Sequence, residues 1–223
     1  MKVLVVGASR GIGLEFVRQY RAEGAEVTAT ARDDAGLERL RGLGATGLRL
    51  DVADAASASG LAWQIEGAAF DVAIVNAGVT AHRASGLDAP TEADFDHVMR
   101  TNVLGPMRVL PQIADTGVLA RGGRIAVLSS RMGSIGARAS TGSSLYRASK
   151  AALNSVLKDA SLVPGERAIC VALHPGWVRT DMGGAGAELD GAPSVADMRR
   201  VIAGLAPGRS GSFLNHDGTT IPW

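Results

Sequence analysis

The sequence predicts an α/β fold: a single domain in which a doubly wound parallel sheet is flanked by helices on both faces. Three observations predict it. Short apolar runs alternate with amphipathic stretches along all 223 residues, the order that builds parallel sheets sandwiched between helices. The runs are continuously apolar rather than alternating, as in strands covered on both faces. The first run also ends in a glycine-rich turn that opens a helix, Gly7-Ala8-Ser9-Arg10-Gly11-Ile12-Gly13.

Taken in order, the predicted strands are Val3–Val6, Val27–Ala31, Gly47–Leu50, Val72–Val75, Arg124–Leu128, Ile169–Leu173 and Ser212–Leu214. The predicted helices between them are Ile12–Arg21, Ala35–Leu43, Ala55–Ile65, Glu92–Ala114, Leu145–Leu162 and Val195–Leu205. Right-handed crossovers turn this alternation into a Rossmann-type arrangement. The helix at Glu92 begins with the capping-type sequence Thr91-Glu92-Ala93-Asp94. The segment Gly183–Gly191 is glycine-rich and reads as a loop. No repeat or low-complexity linker divides the chain, so residues 1–223 form one domain.

Composition narrows the function classes. A hydrophobic fraction of 46% with 20% charged residues fits a globular protein in water. The net charge of +1, without blocks of like charge, gives nucleic acid or an anionic membrane no electrostatic hold. The 29 glycines suit tight turns and close approach of backbone to a ligand. Cys170 is the single cysteine, which excludes an internal disulfide, and its apolar surroundings predict a buried core thiol. His82, His97, His174 and His216 show no metal-ligand spacing, so no metal site is expected. The apolar run at the N-terminus is too short for a signal peptide and no stretch is long enough to span a membrane, so the expected location is the cytoplasm.

The glycine turn is a candidate dinucleotide site. Its glycines let the backbone turn sharply and approach a pyrophosphate, and the following helix N-terminus offers free N–H groups and a positive dipole end. The spacing is GxxxGxG rather than the commoner GxGxxG. Arg10 lies inside the loop and Arg32 follows the second strand, where an adenosine ribose would rest. An acid there holds a 2′-OH, whereas arginine accommodates a 2′-phosphate. Two arginines favour NADP(H), and Asp33 and Asp34, which follow at once, leave NAD(H) open.

Tyr146 and Lys150 carry the second signal. They lie four residues apart in a helix-forming stretch, hence on one helical face. A phenol is a poor proton donor or acceptor near neutrality, and a nearby ammonium stabilises the phenolate. The pair is a candidate acid/base for a carbonyl or alcohol oxygen.

With these motifs the chain resembles the short-chain dehydrogenase/reductase family nearly end to end. The glycine turn matches. Asp51-Val52 resembles the family's acid–apolar pair at adenine, and Asn76-Ala77-Gly78 its turn after the fourth strand. Asn102 matches the family's helix asparagine, Ser129-Ser130 its catalytic serine region, and Tyr146 with Lys150 its YxxxK motif. Pro175-Gly176-Trp177-Val178-Arg179-Thr180 resembles the stretch that holds the nicotinamide carboxamide. The short length and the ending Phe213–Gly218, finishing Ile221-Pro222-Trp223, resemble the C-factor and sniffer-like carbonyl reductase branch.

The resemblance implies hydride transfer between NAD(P)(H) and a small carbonyl/alcohol substrate. It implies that Tyr146 donates the proton, Ser130 stabilises the developing oxyanion, Lys150 lowers the Tyr146 pKa and holds the nicotinamide ribose, and Asn102 completes the set. Ser129 and Ser134 are the alternatives to Ser130, because the stretch from Ser130 to Tyr146 is longer than usual for the family. A homodimer or homotetramer is also implied, as is the alternative of a non-catalytic nucleotide-binding signalling protein of C-factor type.

Two departures carry expectations. Val6 stands where the family usually has threonine, which removes a hydroxyl tie between the first and fourth strands and predicts some loss of rigidity. Pro106 follows Asn102 by four residues and cannot donate to its carbonyl, so a kink and a freed carbonyl are expected. That carbonyl, near Lys150, could hold a water in a proton relay. On the substrate side Met132, Ile135, Leu145, Trp177 and Met182 are the apolar candidates, beneath a short glycine-rich lid over Met182–Ala192 that predicts an open, mobile site.

Overall fold

The computed structural model describes residues 1–80, 89–114, 117–163 and 167–223. Seven strands form one parallel sheet: β1 (Lys2–Val6), β2 (Glu26–Ala31), β3 (Thr46–Arg49), β4 (Phe70–Val75), β5 (Leu119–Leu128), β6 (Ala168–His174) and β7 (Ser212–Asn215), in the order β3-β2-β1-β4-β5-β6-β7. The order reverses between β1 and β4, which opens a crevice at their C-terminal ends, where ligands bind in such sheets.

Helices cover both faces because the central strands bury side chains on each, whereas the edge strand β3 is only partly buried. On one face α1 (Gly11–Ala22), α2 (Asp34–Gly42) and α8 (Gly191–Ala203) pack Phe16, Val17, Leu37, Leu40, Met198 and Ile202 against the sheet. On the other, α4 (Leu61–Ile65), α6 (Gly105–Ile113) and α7 (Ser144–Ala160) bring Leu61, Ile65, Leu110, Ile113, Leu153 and Leu157. Cys170 is fully buried in this second core, and burial pushes its thiol up to about 12.

Two predicted helices are interrupted. The stretch from 55 to 65 breaks at Gly60 into α3 (Ala55–Ser59) and α4. The stretch from 92 to 114 becomes α5 (Glu92–Met99), a π-helical turn over Arg100–Leu104, and α6. Thr91 caps α5 by accepting from the Asp94 N–H at 3.1 Å. Pro106, which cannot donate, sits in the first turn of α6, and the Gly105 N–H reaches back five residues to the Arg100 carbonyl. The mismatch expected at Asn102 is therefore absorbed as a π turn rather than a simple kink. Among the described residues no helix is long and apolar enough to cross a membrane.

Candidate active site

The phosphate loop is held by backbone. Gly7 and Gly11 have positive φ (84° and 55°), conformations that favour glycine. The Val6 carbonyl accepts the N–H groups of both Asn76 and Ala77 (2.9 and 3.0 Å), and Asn76 Nδ2 donates to the Gly7 carbonyl at 2.6 Å. On the other side the Thr30 hydroxyl accepts the Gly7 N–H at 2.9 Å. The β1–β4 tie is thus made without a hydroxyl at position 6, and Thr30, which no sequence motif marks, supplies one from β2. Gly13 does not line the crevice: a Cβ there would stand 2.2 Å from the Gly7 carbonyl oxygen.

At the adenosine end both acids that kept NAD(H) open are engaged elsewhere. The Asp33 carboxylate caps α2 by accepting the Gly36 N–H at 2.7 Å, and Asp34 pairs with Arg49. Arg32 is exposed and lines the crevice. Arg10 lines it too and pairs with Asp181 at 2.8 Å, while Arg39 donates to the Ser9 carbonyl at 2.9 Å.

At the other end α7 carries Tyr146 and Lys150 on one face, and Asn154 one turn later. Lys150 is 4% exposed and its Nζ donates to the Leu128 carbonyl at 2.9 Å, which stitches α7 to the end of β5. The adjacent Ser129 hydroxyl donates to Asn154 Oδ1 at 2.6 Å, a second stitch. Gly133, in the 3-10 turn Arg131–Gly133, lies so close to the Lys150 backbone that a Cβ would meet it at 2.7 Å. These contacts bring the Ser130 side chain close enough to the Tyr146 phenol to oppose the rise of its pKa, while the Ser130 hydroxyl accepts the Met132 N–H at 3.2 Å. Ser129 is occupied by Asn154, and Ser134 by the Pro222 carbonyl, so Ser130 is the serine that faces Tyr146.

Asn102 is fully buried, so its backbone carbonyl does not face bulk solvent. Its side chain accepts from the Val79 N–H (2.8 Å) and donates to the Val79 carbonyl (2.8 Å) and the Ser149 hydroxyl (3.0 Å). A Cβ placed on Gly78 would lie 3.3 Å from Asn102 Oδ1 and 3.4 Å from Lys150 Nζ, so both groups abut the same glycine.

The electrostatics of the pair differ from the expectation that Lys150 lowers the Tyr146 pKa. The ammonium lies 5.8 Å from the ring centroid and is committed to Leu128. Burial pushes the phenol up, opposed by the nearby Ser130 side chain, and burial pulls Lys150 down to about 8. At neutral pH both groups therefore hold their protons. The unfolded chain keeps the lysine proton up to about pH 10.5, whereas the folded chain releases it near 8, so stability from this group rises with pH across that window. Urea melts of wild type and Lys150→Met should diverge there by up to about 1.4 kcal/mol per pH unit, wild type gaining. Parallel pH curves would show an ordinary lysine.

The crevice is about 340 Å³ and takes in most of the expected cofactor residues: Gly7, Ser9, Arg10, Gly11, Ile12, Arg32, Asp51, Val52, Asn76, Ala77, Gly78, Tyr146, Lys150, Pro175 and Thr180. Thr30, Ala31, Leu50, Val79, Thr101, Leu128, Arg179 and Asp181 also line it and were not expected; Ser129 lines it, whereas Ser130 and Asn102 lie outside the lining. Gly176 and Val178 do not line it either: Val178 is buried and bridged to Leu189. Of the apolar substrate candidates only Met182 lines the crevice. Trp177 turns back over its own loop, donating Nε1–H to the Gly183 carbonyl at 2.9 Å. Ile135 is 71% exposed, its N–H bound to the Trp223 carbonyl at 3.1 Å. Leu145 is core, and Met132 is partly buried outside the crevice. The glycine-rich lid is laced by the Trp177–Leu189 and Arg179–Leu189 backbone bonds (3.1 and 2.8 Å), more order than its composition predicts. Among the described residues no cluster of three metal-ligating side chains occurs; His82 lies outside them.

The crevice has the glycine-turn backbone at one end and Tyr146 and Lys150 at the other, a length and lining that suit a dinucleotide. Known proteins resemble the chain in sequence and fold. The C-signal of Myxococcus xanthus is 45% identical over 162 residues, 69% of this chain and 92% of that protein. The carbonyl reductase Sniffer of D. melanogaster superposes over 100% of this chain and 99% of its own, with TM-score 0.86 and 30% identity. A carbonyl reductase from Pseudomonas aeruginosa PAO1 in complex with NADP covers the same shares, with TM-score 0.85 and 31% identity. The family model for short chain dehydrogenases matches residues 1–188, and with that match the chain belongs to the short-chain dehydrogenase/reductase family of oxidoreductases.

Proposed function

We propose that this protein is an NADPH-preferring carbonyl reductase that moves hydride between the nicotinamide and a small carbonyl/alcohol pair. The observation that carries the reading is the half-buried Tyr146 phenol, its pKa raised, lining the crevice with Lys150 5.8 Å from its ring and Ser130 close by. When bound, the cofactor supplies the hydride. The chain's residues do the rest. Gly7, Ser9, Gly11 and Ile12 would hold the pyrophosphate, Asp51 and Val52 the adenine, and Asn76, Ala77, Gly78, Pro175 and Thr180 the nicotinamide end, all of them crevice residues. Ser130 and Tyr146 hold the carbonyl oxygen, and Tyr146 gives it a proton. A phenol kept protonated by burial suits the reductive direction, in which the enzyme must donate. Asn102 fixes the Val79 backbone and Ser149 behind Lys150, where a water on its carbonyl would extend the proton path.

The NADP preference rests chiefly on Arg32, since Asp33 and Asp34 are engaged, with Arg10 beside the crevice but paired with Asp181. Charge-assisted bonds contribute about 1.5–3 kcal/mol each. Arg32→Ala should therefore raise the KM for NADPH by roughly tenfold to a hundredfold and leave that for NADH nearly unchanged. Equal losses with both cofactors would remove this role. The overall test is oxidation of NADPH and NADH against a panel of aldehydes, ketones and diketones. Tight NADPH binding without turnover would favour the signalling reading, which the 45% identity to C-signal keeps in play. A homo-oligomer is proposed through the α5–α6 face, where Phe95 (48% exposed), Leu104 and Met107 (50%) stand in water. Sedimentation of the intact protein should give a dimer or tetramer, and a monomer at micromolar concentration would count against it.

A further inference from the structure

Residues 221–223 are bonded to the loop that follows the 3-10 turn, and through that turn they reach the helix carrying Tyr146 and Lys150. After β7 the chain turns at residues 215–219, where the Asn215 N–H donates to the Thr219 carbonyl at 2.8 Å. It then returns antiparallel, with Leu214 bridged to Thr220 and the Ile221 N–H on the Phe213 carbonyl at 2.8 Å. Ile221 is buried in the second core, and the Trp223 ring stacks on Phe213 at 5.5 Å. The return strand thereby fixes two carbonyls. That of Pro222 accepts the Ser134 hydroxyl, and that of Trp223 accepts the N–H groups of Ile135 (3.1 Å) and Gly136 (2.9 Å). Ser134 is fully buried, and its hydroxyl also accepts the Ala137 N–H at 2.9 Å.

We propose that Pro222 and Trp223 form a clasp that seats the 3-10 turn Arg131–Gly133 against α7, and that Ser134 and Trp223 are therefore positioning residues for Ser130 and Lys150. The inference rests on the reductase reading above. Each link is a contact. The Ser134 N–H donates to the Arg131 carbonyl at 3.0 Å and the Gly133 N–H to the Ser130 carbonyl at 2.7 Å, so the turn is bonded to the clasped segment on one side and to Ser130 on the other. Gly133 lies so close to Lys150 that a Cβ there would stand 2.7 Å from the Lys150 carbonyl carbon and 2.9 Å from its Cβ. Lys150 and Tyr146 in turn line the crevice.

Packing of this kind holds only while the turn is pressed onto the helix, because a gap of about 0.5–1 Å already forfeits a quarter to a half of the attraction. The clasp supplies the pressure. Ser134 follows the turn directly, and its hydroxyl is anchored on Pro222. Gly136 lets the two segments lie together, since a Cβ there would meet Pro222 Cβ at 3.3 Å and the Trp223 carbonyl oxygen at 3.4 Å. Freed from the clasp, the turn would carry Ser130 away from Tyr146 and uncover the Lys150 backbone. The phosphate end of the crevice shares none of these bonds.

Trp223 is 42% exposed, so Trp223→Ala removes the stack on Phe213 and leaves no enclosed cavity. In the NADP+-loaded protein, amide exchange followed by NMR should quicken by about tenfold at Ile135 and Gly136, which bond to Trp223, and also at Gly133 and Ser134, which do not. The amides of β1 serve as reference and should exchange as in wild type. With NADPH and the best carbonyl compound of the panel, kcat should fall by about tenfold to a hundredfold while the NADPH Kd stays nearly unchanged. Trp223→Phe, which keeps a stacking ring, should restore both readouts. Ser134→Ala breaks the clasp from the other side and decides the matter if Trp223→Ala loosens β1 as well. Exchange that quickens at Ile135 and Gly136 alone would overturn the proposal, because the clasp would then end at its own bonds. Unchanged kcat in both variants of a protein that reduces carbonyls would overturn it too. If wild type reduces none of the panel, the exchange pattern still decides on the clasp, and only the reductase reading fails.

Discussion

Tyr146→Phe is expected to lower carbonyl turnover by about 10²- to 10⁴-fold, the contribution of a positioned general acid, with NADPH binding nearly unchanged. The substitution removes one hydroxyl and leaves the ring that packs beneath Lys150. The helix keeps its stitches to β5, because Lys150 still donates to the Leu128 carbonyl and Asn154 still accepts from Ser129. The phosphate cradle lies at the other end of the crevice and does not involve the phenol. What is lost is the donor: hydride arriving at the carbonyl carbon would leave an alkoxide with only Ser130 to stabilise it, and a serine hydroxyl cannot be kept as an acid near neutrality. Stopped-flow oxidation of NADPH, run beside a fluorescence titration of the cofactor, separates the two effects. Turnover within a few-fold of wild type would remove Tyr146 from the chemistry. Parallel loss of binding would mean that the phenol holds the cofactor rather than the proton.

What could be read from the sequence follows the range of the interactions. A strand was expected at each of the seven places because most are short apolar runs covered on both faces, but the first half of β5, Leu119–Gly123, was missed because its Arg and Gly residues break the apolar signature. The phosphate loop was legible because its residues are contiguous. The choice among Ser129, Ser130 and Ser134 was not, since it depends on Asn154 and Pro222, partners 25 and 88 residues away. The break at Gly60 and the π turn were missed for a related reason. Pro106 announces a lost hydrogen bond, but how the backbone absorbs it depends on Asn102 being pinned to Val79 across the crevice. The i, i+4 spacing of Tyr146 and Lys150 put them on one face yet said nothing of depth, and depth decides the direction of both pKa shifts. Trp177 and Ile135 look like pocket residues by type, but bonds to Gly183 and Trp223 direct them elsewhere.

The glycine loop yields the second large effect, and its two inner glycines should fail in different ways. Gly13→Ala would put a methyl group 2.2 Å from the Gly7 carbonyl oxygen, 2.6 Å from Asn76 Nδ2 and 2.9 Å from Ala8 Cα. Two of these neighbours are backbone and the third is the amide that bonds Gly7, so α1 must move away from β1 and β4. A loss of about 3 kcal/mol, the upper end for overpacking, corresponds to roughly 6–12 °C in Tm at this chain length. Cofactor affinity should fall with it, because the Asn76–Gly7 bond that shapes the cradle is broken. At Gly11 the nearest neighbour of an added Cβ is the Thr180 side chain at 3.5 Å, and the strain comes instead from φ of 55°. Gly11→Ala should therefore cost only about 1–2 kcal/mol while obstructing the crevice it lines. Thermal melts with and without NADPH distinguish the cases. Gly13→Ala should melt early in both, whereas Gly11→Ala should melt only about 2–8 °C low alone and gain less from the cofactor. A Gly13→Ala protein with wild-type Tm would show that the first helix can withdraw freely, and the tight β1–α1–β4 junction could not then be what holds the phosphate loop in shape.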